Sequence, residues 1–333
     1  MKICIYGAGA IGGTLGVRLA QTGHEVSLIA RGAHLEAMRA NGITLLQGGQ
    51  REVVKLPASA NAADFGAQDV VIVALKSHTL AAAVAGIAPL LGRDTAIVTA
   101  MNGVPWWFFD QWGGASADAA GGSLQGTRLT ACDRDGRIAA ALELRRIIGG
   151  VVFMAADVPQ PGVVRWNSGR RVVLGEPSHQ PSMRVDELTK ALVGAGFEAT
   201  ATDNIRRELW LKLLGNVCFN PVSVLTGVTT DVMLDDAHLC GLFLGMMREA
   251  ITLANQLGLG VTVEPEARIA QTRKLGAIKS SMLQDVEAGR TIELDAIVGS
   301  VVEIAQRLAL PAPFISAVYG TVRMRAQALG LYV

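Results

Sequence analysis

The stretch from Lys2 to Arg31 leaves this chain the fewest ways to fold. Ile3, Cys4, Ile5 and Tyr6 form an apolar run of strand length, and Gly7-Ala8-Gly9-Ala10-Ile11-Gly12 follows with its glycines at the spacing G-x-G-x-x-G. Leu15, Val17, Leu19 and Ala20 continue as a helix that stops at Thr22-Gly23-His24, and Glu25 to Ala30 is a second apolar run. Strand, tight turn, helix and strand within about 30 residues is the setting in which this glycine spacing binds a dinucleotide. The first glycine permits the turn, the second lets the main chain approach a pyrophosphate, and the third lets helix and strand pack closely. The helix N-terminus offers its unpaired N–H groups to the phosphates. Gly7, Ala8, Gly9, Ala10, Ile11 and Gly12 are therefore the expected cofactor loop.

The end of the second strand refines the ligand. An acid about 20 residues beyond the fingerprint would bind the ribose 2′-hydroxyl of NAD. This chain has Arg31 there, and no acid follows before Glu36. A guanidinium suits a 2′-phosphate, so the residue favours NADP(H).

The alternation continues. Ala33 to Ala40 reads as a short helix, and Ile43–Leu46 and Val53–Leu56 read as modest strands. Val70 to Leu75 is a continuous, mostly β-branched run, the pattern of a buried parallel strand, and ends at Lys76. Thr79 to Leu91 reads as helix and Thr95 to Thr99 as strand, ending near Asn102-Gly103. Such alternation predicts a doubly wound α/β sheet, in which ligands bind beyond the carboxyl ends of the strands, where Lys76 and Asn102 fall. Trp106, Trp107, Phe108, Phe109 and Trp112 form an aromatic cluster read as packing, and Gly113 to Gly126 reads as a loop. Arg145–Asp157, Gly162–Trp166 and Arg171–Gly175 read as three antiparallel strands, Ser182–Gly194 as a helix and Phe197–Ala201 as a last strand.

From 204 onward the signals are helical. Asp203 is an expected N-cap for a helix running to Asn220-Pro221; Val232–Leu257, Glu264–Lys274, Thr291–Leu308 and Phe314–Leu329 are further helices. The expected domains are 1–203 and 204–333. On the first of these helices Lys212, Asn216 and Asn220 lie four apart and share one face among apolar neighbours. Buried amides need partners, and a partly buried lysine can have a lowered pKa and donate a proton. Glu293 and Asp295 fall in the first turn of a later helix, where an acid complements the helix dipole. The five histidines are scattered and none is assigned to catalysis.

Together these features resemble the ketopantoate reductase (2-dehydropantoate 2-reductase) family over nearly the full length. The resemblance rests on G-A-G-A-I-G-G at 7–13, Arg31, Leu75-Lys76-Ser77, Asn102-Gly103, Trp210-x-Lys212-x-x-x-Asn216-x-x-x-Asn220, and Ser280-Ser281-Met282-Leu283-Gln284-Asp285 with Arg290-Thr291-x-Glu293. It implies a Rossmann domain followed by an all-helical domain like the C-terminal domain of 6-phosphogluconate dehydrogenase, with the site between them. It implies that Lys212 is the general acid and that Glu293 binds the substrate hydroxyl and orders Lys212. Asn102, Asn216, Asn220 and Ser281 would hold the 2-keto acid, and Arg31, Lys76 and Asn102 the NADPH. The sequence departs from the family pattern at Thr229-Thr230 and in the Trp106–Phe109 insertion, where substrate size could be set. A reductase of another 2-keto or β-hydroxy acid, and a nucleotide-binding sensor without turnover, are the competing readings.

Charge and cysteine usage exclude other classes. Lys plus Arg is 30 against 29 for Asp plus Glu, a net charge of +1, too little for a nucleic-acid surface. Cys4, Cys132, Cys218 and Cys240 form no C-x-x-C pair and no metal spacing, so no metal is expected and a reducing, cytoplasmic setting fits. Glycines interrupt the uncharged residues 3–17, which do not read as a signal peptide, and no membrane partner is expected. The oligomeric state is left open, a homodimer included.

Overall fold

In the computed structural model, residues 1–112 and 119–332 are described. Part of the loop expected at Gly113–Gly126 lies outside them. The chain divides into two compact units, 1–101 with 137–205, and 102–136 with 206–333. The second unit is therefore built from two stretches of chain, where the sequence points to one stretch from 204.

The first unit is organised on β1 (Lys2–Tyr6), where Ile3, Cys4 and Ile5 are wholly buried. β1 is followed by α1 (Ala10–Gln21), β2 (Glu25–Ile29), α2 (Gly32–Asn41), β3 (Ile43–Gln47), β4 (Gln50–Val54) and β5 (Ala58–Ser59). Next come β6 (Gln68–Val73), α3 (Ser77–Ala83), β7 (Leu91–Thr99), β8 (Ile147–Gln160), β9 (Val163–Gly175), α4 (Met183–Gly194) and β10 (Glu198–Ala201). The strands make one sheet in the order β4-β3-β9-β8-β7-β6-β1-β2-β5, with β10 against β9. β7, β6, β1, β2 and β5 are parallel, so the order reverses beside β1, the switch point where doubly wound sheets bind ligands.

Two local expectations change. Val163–Gly175 is one strand rather than two, antiparallel to β8 with shifts of register. Gly169, at φ +76°, absorbs the irregularity, and the Trp166 indole donates to its carbonyl at 2.7 Å. What reads as a turn is a bulge. The helix expected at Thr79–Leu91 begins earlier, at Ser77, and tightens to a 3₁₀ stretch over Val84–Leu90, which contains Pro89.

The second unit holds α5 (Ile205–Thr226), α6 (Thr230–Asp235), α7 (Ala237–Gln256), α8 (Pro265–Arg273), α9 (Ser281–Glu287), α10 (Ser300–Arg307) and α11 (Pro313–Ala328). α5 runs through Pro221 instead of stopping at it. An interior proline costs about 3 kcal/mol, and burial of an aliphatic side chain returns about 1.5–3 kcal/mol. Val222 and Val224, at 1% and 5% exposure, carry the helix on. α5 is apolar and long enough to cross a membrane, but most of its apolar stretch is buried inside the protein. The helix expected at Val232–Leu257 is broken at Asp236, whose side chain caps α7 by accepting from Leu239 N–H at 2.8 Å.

The aromatic cluster is core of this unit. Trp107, Phe108 and Phe109 are at most 1% exposed, with Phe108 packed edge-on to Phe109 and tilted against Trp210. The fully buried Arg206 ties the cluster to α5: its Nε donates to Phe108 O at 2.6 Å, its guanidinium also bonds Asp110 O, and it stacks over Trp112. Burial lowers its pKa to about 10.

Candidate active site

The fingerprint loop closes on itself by main-chain bonds. Gly7 N–H and Ala8 N–H both donate to Ile29 O, at 3.1 and 2.9 Å. Gly7 has φ +107°, a conformation only glycine adopts cheaply. A Cβ on Gly12 would lie 2.2 Å from Gly7 O, whereas one on Gly9 would meet nothing within 4 Å. The glycines thus divide the work as a pyrophosphate cradle requires: turn, open approach, close packing.

A cavity of about 470 Å³ opens on this loop, lined by Gly7, Ala8 and Gly9, by Arg31 at the end of β2, and by Lys76 beyond β6. The expected cofactor residues Arg31 and Lys76 therefore share one wall with the loop. Arg31 is exposed and stands at the N-cap of α2. Ala10 and Ile11 form the first turn of α1 behind the loop.

Sequence reasoning passed over two residues in that wall. His34 Nδ1 accepts from Gly162 N–H at 2.9 Å, so the ring is the Nε2–H tautomer, and Nε2 donates to Ala8 O at 2.8 Å. It braces the glycine loop from behind. Tyr6 donates its hydroxyl to Ala83 O at 2.8 Å, in space that Gly86 leaves by lacking a side chain. No spacing in the sequence carries either contact, because both partners come from distant segments.

In the second unit, three expected residues form a polar chain. Lys212 Nζ donates to Asn102 Oδ1 at 2.8 Å, and Asn102 Nδ2 donates to Glu293 Oε2 at 3.4 Å. The amide orientation follows from the chemistry, since an ammonium only donates and a carboxylate only accepts. Glu293 is buried at 7% exposure. Burial lowers the Lys212 pKa to about 8, against the opposing pull of the Glu293 charge. A lysine so placed is an acid at neutral pH that releases its proton more readily than a solvated one.

Each partner is held differently. Lys212 rides on α5, and Asn216 and Asn220 follow on the same face at successive turns, half-buried and buried. Asn102 is oriented by Gly103, at φ +82°, and by Val104 N–H, which donates to Ala296 O at 2.8 Å. Glu293 stands just before the helix rather than in its first turn; its C=O accepts from Ile297 N–H, and a π-turn follows at Asp295–Gly299. Ser281 is exposed at the first residue of α9. Its neighbour Ser280 is the buried N-cap of that helix and shares a 2.6 Å bond with Ser223 Oγ.

Comparison with known proteins agrees with both halves. The family model described as Ketopantoate reductase PanE/ApbA matches residues 3–105, and that described as Ketopantoate reductase PanE/ApbA C terminal matches residues 204–326. A 2-dehydropantoate 2-reductase of Mesorhizobium japonicum is 44% identical over all of both chains. One from Pyrococcus horikoshii is 28% identical over 94% of this chain and 93% of its own. A solved structure assigned to the ketopantoate reductases, from Ralstonia solanacearum MolK2, superposes with a TM-score of 0.92 at 44% identity over 99% of each chain. With both family models matched and a full-length relative at this identity, the chain belongs to the ketopantoate reductase family.

Proposed function

We propose that this protein is an NADPH-dependent 2-dehydropantoate 2-reductase, reducing ketopantoate to pantoate, a step toward pantothenate and coenzyme A, in the cytoplasm. The observation that carries the chemistry is the Lys212–Asn102–Glu293 chain, which holds a half-buried ammonium of lowered pKa close to a buried carboxylate. The dinucleotide supplies a hydride to the keto carbon. Its cradle is the loop Gly7–Gly12, whose shape fits because Gly9 faces open space. We assign Arg31 to the 2′-phosphate, which is what favours NADPH over NADH, and Lys76 to the phosphate and ribose side.

Hydride addition builds negative charge on the carbonyl oxygen. The Lys212 ammonium stabilises that charge and then gives its proton to the oxygen. Asn102 Oδ1 fixes the ammonium, so its donor direction is set before substrate arrives. Glu293 keeps Lys212 more basic than burial alone would, and is assigned the 4-hydroxyl of the substrate. Asn216, Asn220 and Ser281 are assigned to the rest of the keto acid. All four cysteines are free thiols, which supports a reducing compartment.

Steady-state oxidation of NADPH at 340 nm with ketopantoate, followed by identification of pantoate, tests this. Turnover with ketopantoate well above that with 2-ketoisovalerate, which lacks the 4-hydroxyl, is the expected result. Equal turnover of both would move the assignment to a broader 2-keto acid reductase.

A further inference from the structure

Glu293 is bracketed by one short stretch of chain. Ile292 N–H, one residue before it, donates to Leu331 O at 3.1 Å. Two residues after it, Asp295 Oδ1 accepts from Tyr332 OH at 2.8 Å. The same oxygen accepts from Tyr319 OH on α11, also at 2.8 Å, and the two phenols lie 3.4 Å apart. Gly299 makes room for Tyr319: a Cβ there would lie 3.1 Å from the ring. Among the described residues, Arg323 also acts on this cluster, stacked 5.5 Å over the Tyr319 ring, as does the half-buried Cys132 thiol, pushed upward by desolvation and then by the Glu303 and Asp295 charges. Desolvation raises both phenols, so they stay protonated donors at neutral pH.

Asp295 also opens the π-turn Asp295–Gly299. Turns of this kind are uncommon and favour functional sites. Here the turn presents Ala296 O to Val104 N–H at 2.8 Å, and that carbonyl leaves no room for a side chain on Gly103, where a Cβ would approach to 2.4 Å. One turn of backbone therefore borders Glu293 on one side and sets the Asn102-Gly103 backbone on the other. A carboxylate with two aimed O–H donors is a stiff anchor, because charge-assisted bonds are strong and buried networks rigidify what they join.

We propose that Asp295, gripped by Tyr319 and Tyr332, is a positioning residue of the reduction site: it fixes the π-turn that holds both Glu293 and Asn102 on Lys212. The proposal rests on the reading of Lys212 as the acid. Asp295 acts on the reaction through Glu293 and Asn102, with Tyr319 and Tyr332 as its side-chain partners.

The test uses the full chain with Asp295→Ala, Asp295→Asn and Tyr332→Phe. Asp295→Ala lowers kcat for ketopantoate by about 10- to 100-fold, the scale of a misplacement near 1 Å, with the Kd for NADPH unchanged. Asp295→Asn keeps an oxygen that can accept both phenols and restores most of that loss. Tyr332→Phe, which removes a single hydroxyl and spares the fold, gives a smaller loss in the same direction. Competitive acetylation of Lys212 against pH supplies a readout that needs no substrate. In Asp295→Ala and Tyr332→Phe the Lys212 pKa falls below that of the wild type, because Glu293 no longer holds its place. A folded Asp295→Ala or Tyr332→Phe protein with wild-type kcat and wild-type Lys212 labelling overturns the proposal. Should the wild type reduce no keto acid while the labelling still shifts, the anchor stands and the assigned reaction falls.

Discussion

Lys212 Nζ and Asn102 Oδ1 are 2.8 Å apart although 110 residues separate them in the chain. The amide does not neutralise the ammonium; it aims it. Lys212→Ala is expected to lower kcat by about 10²–10⁴-fold, the usual loss for a general acid. Binding of NADPH, followed by fluorescence quenching or calorimetry, should change little, because the cradle belongs to the other unit. Near wild-type turnover in Lys212→Ala would move the acid elsewhere, with Lys76 the next candidate.

With Lys212 assigned as the acid, its lowered pKa predicts the pH dependence. In the proposed mechanism the protonated lysine is the active form, so kcat/KM for ketopantoate should be level near neutrality and fall as pH rises through about 8. Glu293 raises this pKa, so Glu293→Gln removes the charge and moves the basic limb to lower pH. A profile measured from about pH 6 to 10 at saturating NADPH would contradict the assignment if both proteins kept the same limb above pH 9.

Arg31 should decide the choice of cofactor. Loss of a charge-assisted contact to the 2′-phosphate costs about 1.5–3 kcal/mol, or roughly 10- to 150-fold in Kd. Arg31→Ala should therefore weaken NADPH by that factor and leave NADH nearly unchanged. Its exposed place at the N-cap of α2 means the substitution leaves the core intact. Equal affinity of the wild type for the two dinucleotides would remove Arg31 from this role.

Two glycines of one loop should fail in opposite ways. A side chain on Gly9 enters open space, so Gly9→Val should keep the fold and its thermal midpoint while abolishing NADPH binding. A Cβ on Gly12 would meet the Gly7 carbonyl at 2.2 Å, and that carbonyl is backbone that cannot step aside. Gly12→Ala should lower the thermal midpoint and, through it, the yield of folded protein, at a cost of several kcal/mol, about the scale of overpacking. Circular dichroism melts with and without NADPH separate the two, and a Gly9→Val protein that binds normally would refute the cradle.

The first 31 residues by themselves determined the nucleotide-binding half, because strand, glycine turn and helix are set by neighbours in sequence: apolar run, positive φ at Gly7, period of α1. The stripe of Lys212, Asn216 and Asn220 was equally legible, since a helix places such residues on one face whatever surrounds it. Local signals misled where long-range packing outweighed them. Burial of Val222 and Val224 carries α5 through Pro221, and Gly169 makes a bulge inside β9 where the composition reads as a turn. The grouping of 102–136 with the helical unit has the same origin: Arg206 draws Phe108 and Asp110 onto α5 through carbonyl contacts that leave no periodic trace. Only the tertiary structure could join Asn102 to Lys212 and Glu293, or His34 to Ala8 and Gly162. Hydrogen bonds from side chains to groups that folding brings together depend on distance and direction, and a one-dimensional pattern encodes neither between distant segments.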